Sequence, residues 1–268
     1  MENIKAEEIK IDIDGTYMNV IRFGNGNENL IIISGLTVTG LEGQGEAVAN
    51  AYSALSRDYR ICLFERKKDI PENYSHEDMA EDVFRCSQLI GIESAFVYGV
   101  SQGGMIGELL ALSHPDFVKK LILCSSSCRI TEKLEKASNE WRMYAQEKDI
   151  VALNRSFFKY VYSPAFLESV KEMLPALEMV GSARDCERFL RLLEPVSDFD
   201  ISGELNKIKC PVLVIGDAND AVIGPEGSYQ MAEILKCDLH MYDCYSHAVY
   251  DEAPDIKEVI AGFLKRPD

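Results

Sequence analysis

The chain has 268 residues and carries 44 acidic against 28 basic side chains, a formal net charge of −16. That balance weighs against a nucleic-acid partner, because neutralising phosphates takes clustered Lys and Arg. The hydrophobic fraction of 47% and charged fraction of 27% are ordinary for a globular protein of one large α/β domain or two small ones.

Residues Met1 to Glu8 show no basic stretch followed by an apolar core, so no secretory signal is expected. Ile9–Ile13 and Met18–Phe23 flank Asp14-Gly15 and read as a hairpin. Leu30–Ile33 is a continuous apolar run, the mark of a strand buried on both faces. Similar runs follow at Ile61–Phe64, Ala95–Tyr98, Leu121–Cys124, Val212–Ile215 and Asp238–Tyr242. Helical patterns separate most of them, over roughly 44–57, 76–90, 103–113, 226–236 and 254–265. The alternation predicts βαβ units in a mainly parallel, eight-stranded sheet. None of the apolar runs approaches the ~20 residues of a membrane span.

The alternation stops between Ser126 and Asn206, where the spacing predicts helices over Thr131–Gln146, Ile150–Tyr162, Pro164–Val180 and Ser182–Leu193. This stretch reads as a helical cap (126–206) inserted after the sixth strand, over a core formed by 1–125 and 207–268. Its aromatics, Trp141, Tyr144, Phe157, Phe158, Tyr160, Tyr162 and Phe166, read mostly as the cap's own packing.

Gly99-Val100-Ser101-Gln102-Gly103 lies between a strand pattern and a helix pattern. G-x-S-x-G in that setting is a nucleophile elbow, whose sharp turn projects the serine and requires Gly99 and Gly103 for close backbone approach. A serine needs a positioned base, and four histidines are available. His76 opens a helix and reads as an exposed first-turn residue. His114 ends a helix, and His240 lies inside a strand. His247 follows the last strand, where loops at the carboxyl ends of a parallel sheet form the active-site crevice. The acid is sought after Val212–Ile215, where Asp217 suits a turn and Asp220 has the better reach toward His247. The order Ser101, Asp220, His247 is that of an α/β-hydrolase triad.

With these motifs the whole chain resembles the α/β-hydrolase superfamily, including Tyr74–Asp82, which looks like the start of the helix before the elbow strand. The resemblance implies an oxyanion hole made by the backbone N–H groups of Gln102 and of Leu36, in the loop Ser34-Gly35-Leu36-Thr37. Two departures stand out. Ser34-Gly35 occupies the place of a common His-Gly, and Glu65-Arg66-Lys67-Lys68 replaces an Asp followed by Arg and Gly. The second run is expected to be a solvated loop.

The expected activity is a serine hydrolase of an ester or related acyl bond in a small, largely apolar substrate, needing no metal or organic cofactor. Same-fold acyltransferases, thioesterases, haloperoxidases and carbon–carbon bond hydrolases are alternatives, as is a receptor with a hydrolase shell. The eight cysteines are scattered and only Cys124 and Cys128 lie close, without a neighbouring His. Reduced thiols and a cytoplasmic location are expected.

Overall fold

The computed structural model describes residues 4–267, so of the N-terminal stretch read above residues 1–3 lie outside the described range. Eight strands form one sheet: β1 (Glu7–Ile13), β2 (Thr16–Phe23), β3 (Glu28–Ile33), β4 (Tyr59–Lys67), β5 (Ala95–Val100), β6 (Val118–Cys124), β7 (Val212–Asp217) and β8 (Asp238–Tyr242). Their spatial order is β1-β2-β4-β3-β5-β6-β7-β8. β1 and β2 pair antiparallel, as do β2 and β4, and every other pairing is parallel. Ile13 faces Thr16 across the hairpin, and Asp14 and Gly15 take φ of 49° and 80°. Such a two-residue turn with positive φ at both positions matches the twist of its strands.

The continuous apolar runs of the middle strands feed two cores. Ile31, Ile33, Val97, Leu121, Leu123 and Val214 are buried on one face. Leu30, Ile32, Tyr98, Ile122, Leu213 and Ile215 are buried on the other. Period-two side chains on a doubly covered sheet require this division. α1 (Gly45–Ala51) covers the second face through Ala49. α2 (His76–Leu89) and α3 (Gln102–Ser113) cover the first, through Met79, Val83, Ile106 and Leu110. α2 begins at a capping box, with Ser75 Oγ accepting from the Asp78 N–H and the Asp78 carboxylate accepting from the Ser75 N–H.

Five helices lie between β6 and β7: α4 (Glu132–Gln146), α5 (Ile150–Val161), α6 (Pro164–Ser169), α7 (Leu174–Glu178) and α8 (Ala183–Leu193). The single helix expected over 164–180 is two short ones, α6 and α7. Pro175 explains the break, since it has no N–H to continue the ladder and stands in the first turn of α7. Trp141 sits among Phe157, Tyr160 and Phe189, with ring centroids 5.0, 6.0 and 6.3 Å away. The chain then supplies α9 (Pro225–Leu235), α10 (Val249–Glu252) and α11 (Ile256–Leu264), the last packing Ile256, Ile260 and Phe263 on the second face.

Two expectations are corrected. Glu65, Arg66 and Lys67 are no solvated loop: they continue β4 and are only 5%, 4% and 6% exposed. The cause is a β-bulge. Val20 pairs with Phe64 and Met18 with Lys67, so Glu65 and Arg66 stand opposite the single residue Asn19. The charges find partners inside: Lys67 Nζ lies 2.7 Å from Asp14 and 2.9 Å from Asp82. His76 is likewise buried rather than exposed, because the chain leaving α8 lays Phe199 against its ring at 4.8 Å between centroids.

All eight cysteines are free, and Cys124 and Cys128 are buried. Among the described residues no helix is long and apolar enough to cross a membrane.

Candidate active site

Ser101 joins β5 to α3 with φ 53° and ψ −123°, a conformation that costs a non-glycine residue about 1–3 kcal/mol. Its surroundings hold it there. A Cβ on Gly99 would lie 2.4 Å from the Gly103 carbonyl oxygen, and one on Gly103 would lie 2.1 Å from that of Ile33. The two glycines therefore let three stretches of backbone touch. The Ser101 N–H donates to the Cys124 carbonyl at 2.8 Å, and Ser126 Oγ donates to the Ser101 carbonyl at 3.0 Å.

His247 lies in the loop after β8, with its carbonyl accepting from Ser125 Oγ at 2.7 Å. The next N–H, of Ala248, donates to the Val161 carbonyl at the end of α5, at 2.8 Å. The ring bridges two side chains: Nδ1 is 2.9 Å from Asp220 Oδ2 and Nε2 is 2.9 Å from Ser101 Oγ. An ionised carboxylate only accepts, so Nδ1–H donates to Asp220 and Nε2 is left to accept from the serine hydroxyl. Asp220 Oδ1 accepts from the N–H groups of Val222 and Ile223, both at 2.8 Å. Burial, the strongest influence on Asp220, pushes its carboxyl up. The His247 ring and the two backbone donors outweigh it and hold the group below the usual carboxylate range.

Asp217 has a different job. Its Oδ1 accepts from the Asn219 N–H at 2.7 Å and its Oδ2 from the Tyr245 N–H at 3.0 Å. It thus shapes the Asp220 turn and ties it to the loop bearing His247. The other histidines stay away from Ser101. His114 pairs with Glu81 at 2.8 Å, His240 lies against Tyr242, and His76 lies against Phe199.

The loop Ser34–Leu36 reaches the elbow closely. A Cβ on Gly35 would sit 3.2 Å from Ser101 Cβ. Gln102 is the first residue of α3, where the N–H has no partner within the helix and the dipole favours negative charge. Leu36 and Gln102 both line a cavity of about 30 Å³ that also holds Ser101 and His247. Met105, Trp141, Phe157, Val161 and Ile223 make its walls mainly apolar.

One participant was missed in the sequence. The Arg66 guanidinium donates through Nη2 to the Ser34 carbonyl at 2.8 Å and to Gln102 Oε1 at 3.1 Å. Nη1 reaches Ser34 Oγ at 3.3 Å. Gln102 Nε2 in turn donates to the Leu192 carbonyl at 2.6 Å. Burial lowers the Arg66 pKa to about 10, still far above neutrality. The available signal was the coincidence of both departures from the family pattern, at Ser34 and at Glu65–Lys68, which turn out to face each other. Among the described residues no group of three or more His, Cys, Asp and Glu is placed to hold a metal ion.

A family model described as "alpha/beta hydrolase fold" matches residues 53–199, over half of the chain, and the protein belongs to that family. Among curated relatives it is similar to "Putative carbamate hydrolase RutD" of Caulobacter sp. strain K31, 25% identical over 231 residues, covering 83% of this chain and 85% of that one. It is also similar to "3-oxoadipate enol-lactonase 2" of Acinetobacter baylyi, 24% identical over 198 residues and covering 72% of each. The fold matches that of MGS-M2, an alpha/beta hydrolase enzyme from a Medee basin deep-sea metagenome library, with a TM-score of 0.85 at 19% identity over 97% of this chain and 98% of that one. It matches the enol-lactonase of Burkholderia xenovorans LB400 with a TM-score of 0.84 at 22% identity over 96% and 100%.

Proposed function

We propose that the protein is a serine hydrolase that cleaves an ester or related acyl bond of a small, largely apolar molecule. One observation carries the reading: the unbroken chain from Ser101 Oγ through the His247 ring to Asp220, with both links at 2.9 Å. Ser101 Oγ attacks the carbonyl carbon while His247 Nε2 takes its proton. Asp220 holds the ring in that tautomer and stabilises the imidazolium. The oxyanion is received by the backbone N–H groups of Leu36 and Gln102. Collapse of the tetrahedral adduct expels the leaving group, protonated by His247, and leaves an acyl-enzyme. His247 then activates water to release the acid. The sequence of steps runs on side chains and backbone alone.

Residues 126–206 act as a cap over the core of 1–125 and 207–268, closing the site with Trp141, Phe157 and Val161. The names of the two curated relatives support the reading, since a carbamate and an enol lactone each present a carbonyl carbon bearing a heteroatom leaving group. The composition and cysteine usage favour work in the cytoplasm on a small molecule.

Intact-mass labelling with a fluorophosphonate tests the reading. Wild type is expected to gain one adduct and Ser101→Ala none. A folded wild type that stays unlabelled, or a variant that labels equally, overturns it.

A further inference from the structure

A second cavity, of about 370 Å³, lies between the bulged part of β4, the neighbouring β2 and α8, and shares no lining residue with the one at Ser101. Arg66 and Glu65 line it from β4, Asn19 from β2 and Arg188 from α8. The carboxylates around it are already engaged. Glu42 pairs with Lys10 and Lys68, Glu187 pairs with Lys148, Asp69 accepts from Thr16 Oγ1, and Asp185 accepts from Ser182 Oγ.

Of the inner cations, Arg66 has hydrogen-bond acceptors, but neither it nor Arg188 has a carboxylate closer than 3.9 Å among the described residues. Arg66 is 4% exposed and forms no ion pair among the described residues, and its Nε has no hydrogen-bond partner. Arg188 Nη1 also lacks a partner, and its nearest carboxylate oxygen, Glu65 Oε1, is 3.9 Å away. Glu65 meanwhile accepts from the Leu41 N–H at 2.8 Å and from Asn19 Nδ2 at 3.4 Å. Two enclosed guanidinium groups thus share one preoccupied carboxylate. A buried charge without a counter-charge is strongly unfavourable, and a protein keeps one where something else supplies the balance.

We propose that this cavity is an anion site, taking the carboxylate or phosphate group of a small molecule on Arg66 and Arg188. Either group can accept from the free Nε–H of Arg66 and the free Nη1–H of Arg188. The volume suits a small organic acid. Lys68, Arg184 and Arg191 also line the cavity and strengthen its attraction for anions. Arg66 also holds Ser34 and Gln102, so an occupant bears on the backbone beside Ser101.

The test is thermal unfolding with inorganic phosphate and with succinate, each against chloride at matched ionic strength. Wild type is expected to show a saturable rise in Tm. Arg188→Met is expected to weaken the fitted affinity by about tenfold or more. Glu65→Gln keeps an acceptor for the Leu41 N–H but removes the competing charge, and is expected to tighten it several-fold. No saturable rise in wild type, equal affinity in Arg188→Met, or weaker binding in Glu65→Gln overturns the proposal. Hydrolysis of a neutral nitrophenyl ester separates the sources of the anion. Competitive inhibition by succinate identifies the acidic end of the substrate, whereas any other pattern identifies a separate ligand. Thermal binding with no hydrolysis at all would sink the serine-hydrolase reading and leave the anion site standing.

Discussion

Arg66 and Gln102 are joined by a 3.1 Å hydrogen bond that links the bulge of β4 to the first turn of the helix after Ser101. Through its other contacts the same guanidinium holds Ser34, one residue before the close approach at Gly35. Arg66 is therefore placed to fix the distance between the two proposed oxyanion donors. Arg66→Met is expected to lower kcat by about 10–10²-fold with little change in KM, since only charge that develops in the transition state depends on that spacing. Affinity for a trifluoromethyl ketone should fall in parallel, and Arg66→Lys should recover only part. A variant whose KM rises while kcat holds would show that Arg66 serves ground-state binding alone.

Asp220 and Asp217 separate by role. Asp220→Asn offers His247 a donor where it needs an acceptor, and is expected to lower kcat by about 10³–10⁴-fold without loss of fold. Asp217→Asn is expected to destabilise by about 1–3 kcal/mol, because the Tyr245 or Asn219 N–H loses a charged acceptor. Parallel turnover and denaturation curves decide it. Abolished turnover at full stability in Asp217→Asn would transfer the acid role.

Glu108, in the middle of α3, is fully buried and neither carboxyl oxygen has a partner. Burial pushes its carboxyl well above the usual range. The folded protein holds this proton to higher pH than the unfolded chain does, so this group's contribution falls as pH rises above the ordinary glutamate value. Glu108→Met is expected to stabilise by about 1–3 kcal/mol at pH 7. The gain should shrink as the pH drops toward ~4. Urea unfolding at several pH values measures both. Destabilisation at pH 7 would mean the carboxyl has a partner in solution.

His76 works in the opposite sense. Burial, helped by the charge of Arg66, lowers its pKa to about 3. Below about pH 6.5 the unfolded chain binds a proton that the folded one refuses, so stability is complete above that value and is lost as pH falls toward the folded pKa. The slope is about 1.4 kcal/mol per pH unit within that window. His76→Phe should remove this contribution, visible as a flatter fall of Tm between pH 6 and 4 relative to wild type. Identical profiles would place the acid sensitivity elsewhere.

The strand runs were legible because residues buried on both faces leave continuous apolar stretches, as at Leu30–Ile33 and Leu121–Cys124. Ser101 was legible because its turn forces glycines at fixed offsets. That Asp220 and His247 would come together beside Ser101 was legible from their places after β7 and β8, since chain order and sheet edge constrain each other. Glu65–Lys67 was misread because charges are buried only where distant residues answer them. Asp14, Asp82, Asn19 and Gln102 are remote in sequence, and no local pattern announces them. His76 fails for the same reason, its cover Phe199 arriving more than a hundred residues later. The break between α6 and α7, by contrast, was written in Pro175.

The 2.6 Å bond from Gln102 Nε2 to the Leu192 carbonyl runs from the first residue of α3 to the last turn of α8. An outward swing of α8 would strip a buried amide of its acceptor, at about 1–3 kcal/mol. It would also release the side chain of the residue that follows Ser101. On the proposed reading of 126–206 as a cap, opening and readiness would alternate: the molecule that admits a guest would not yet be set to act on it, and the latch that shuts the door would also cock the mechanism.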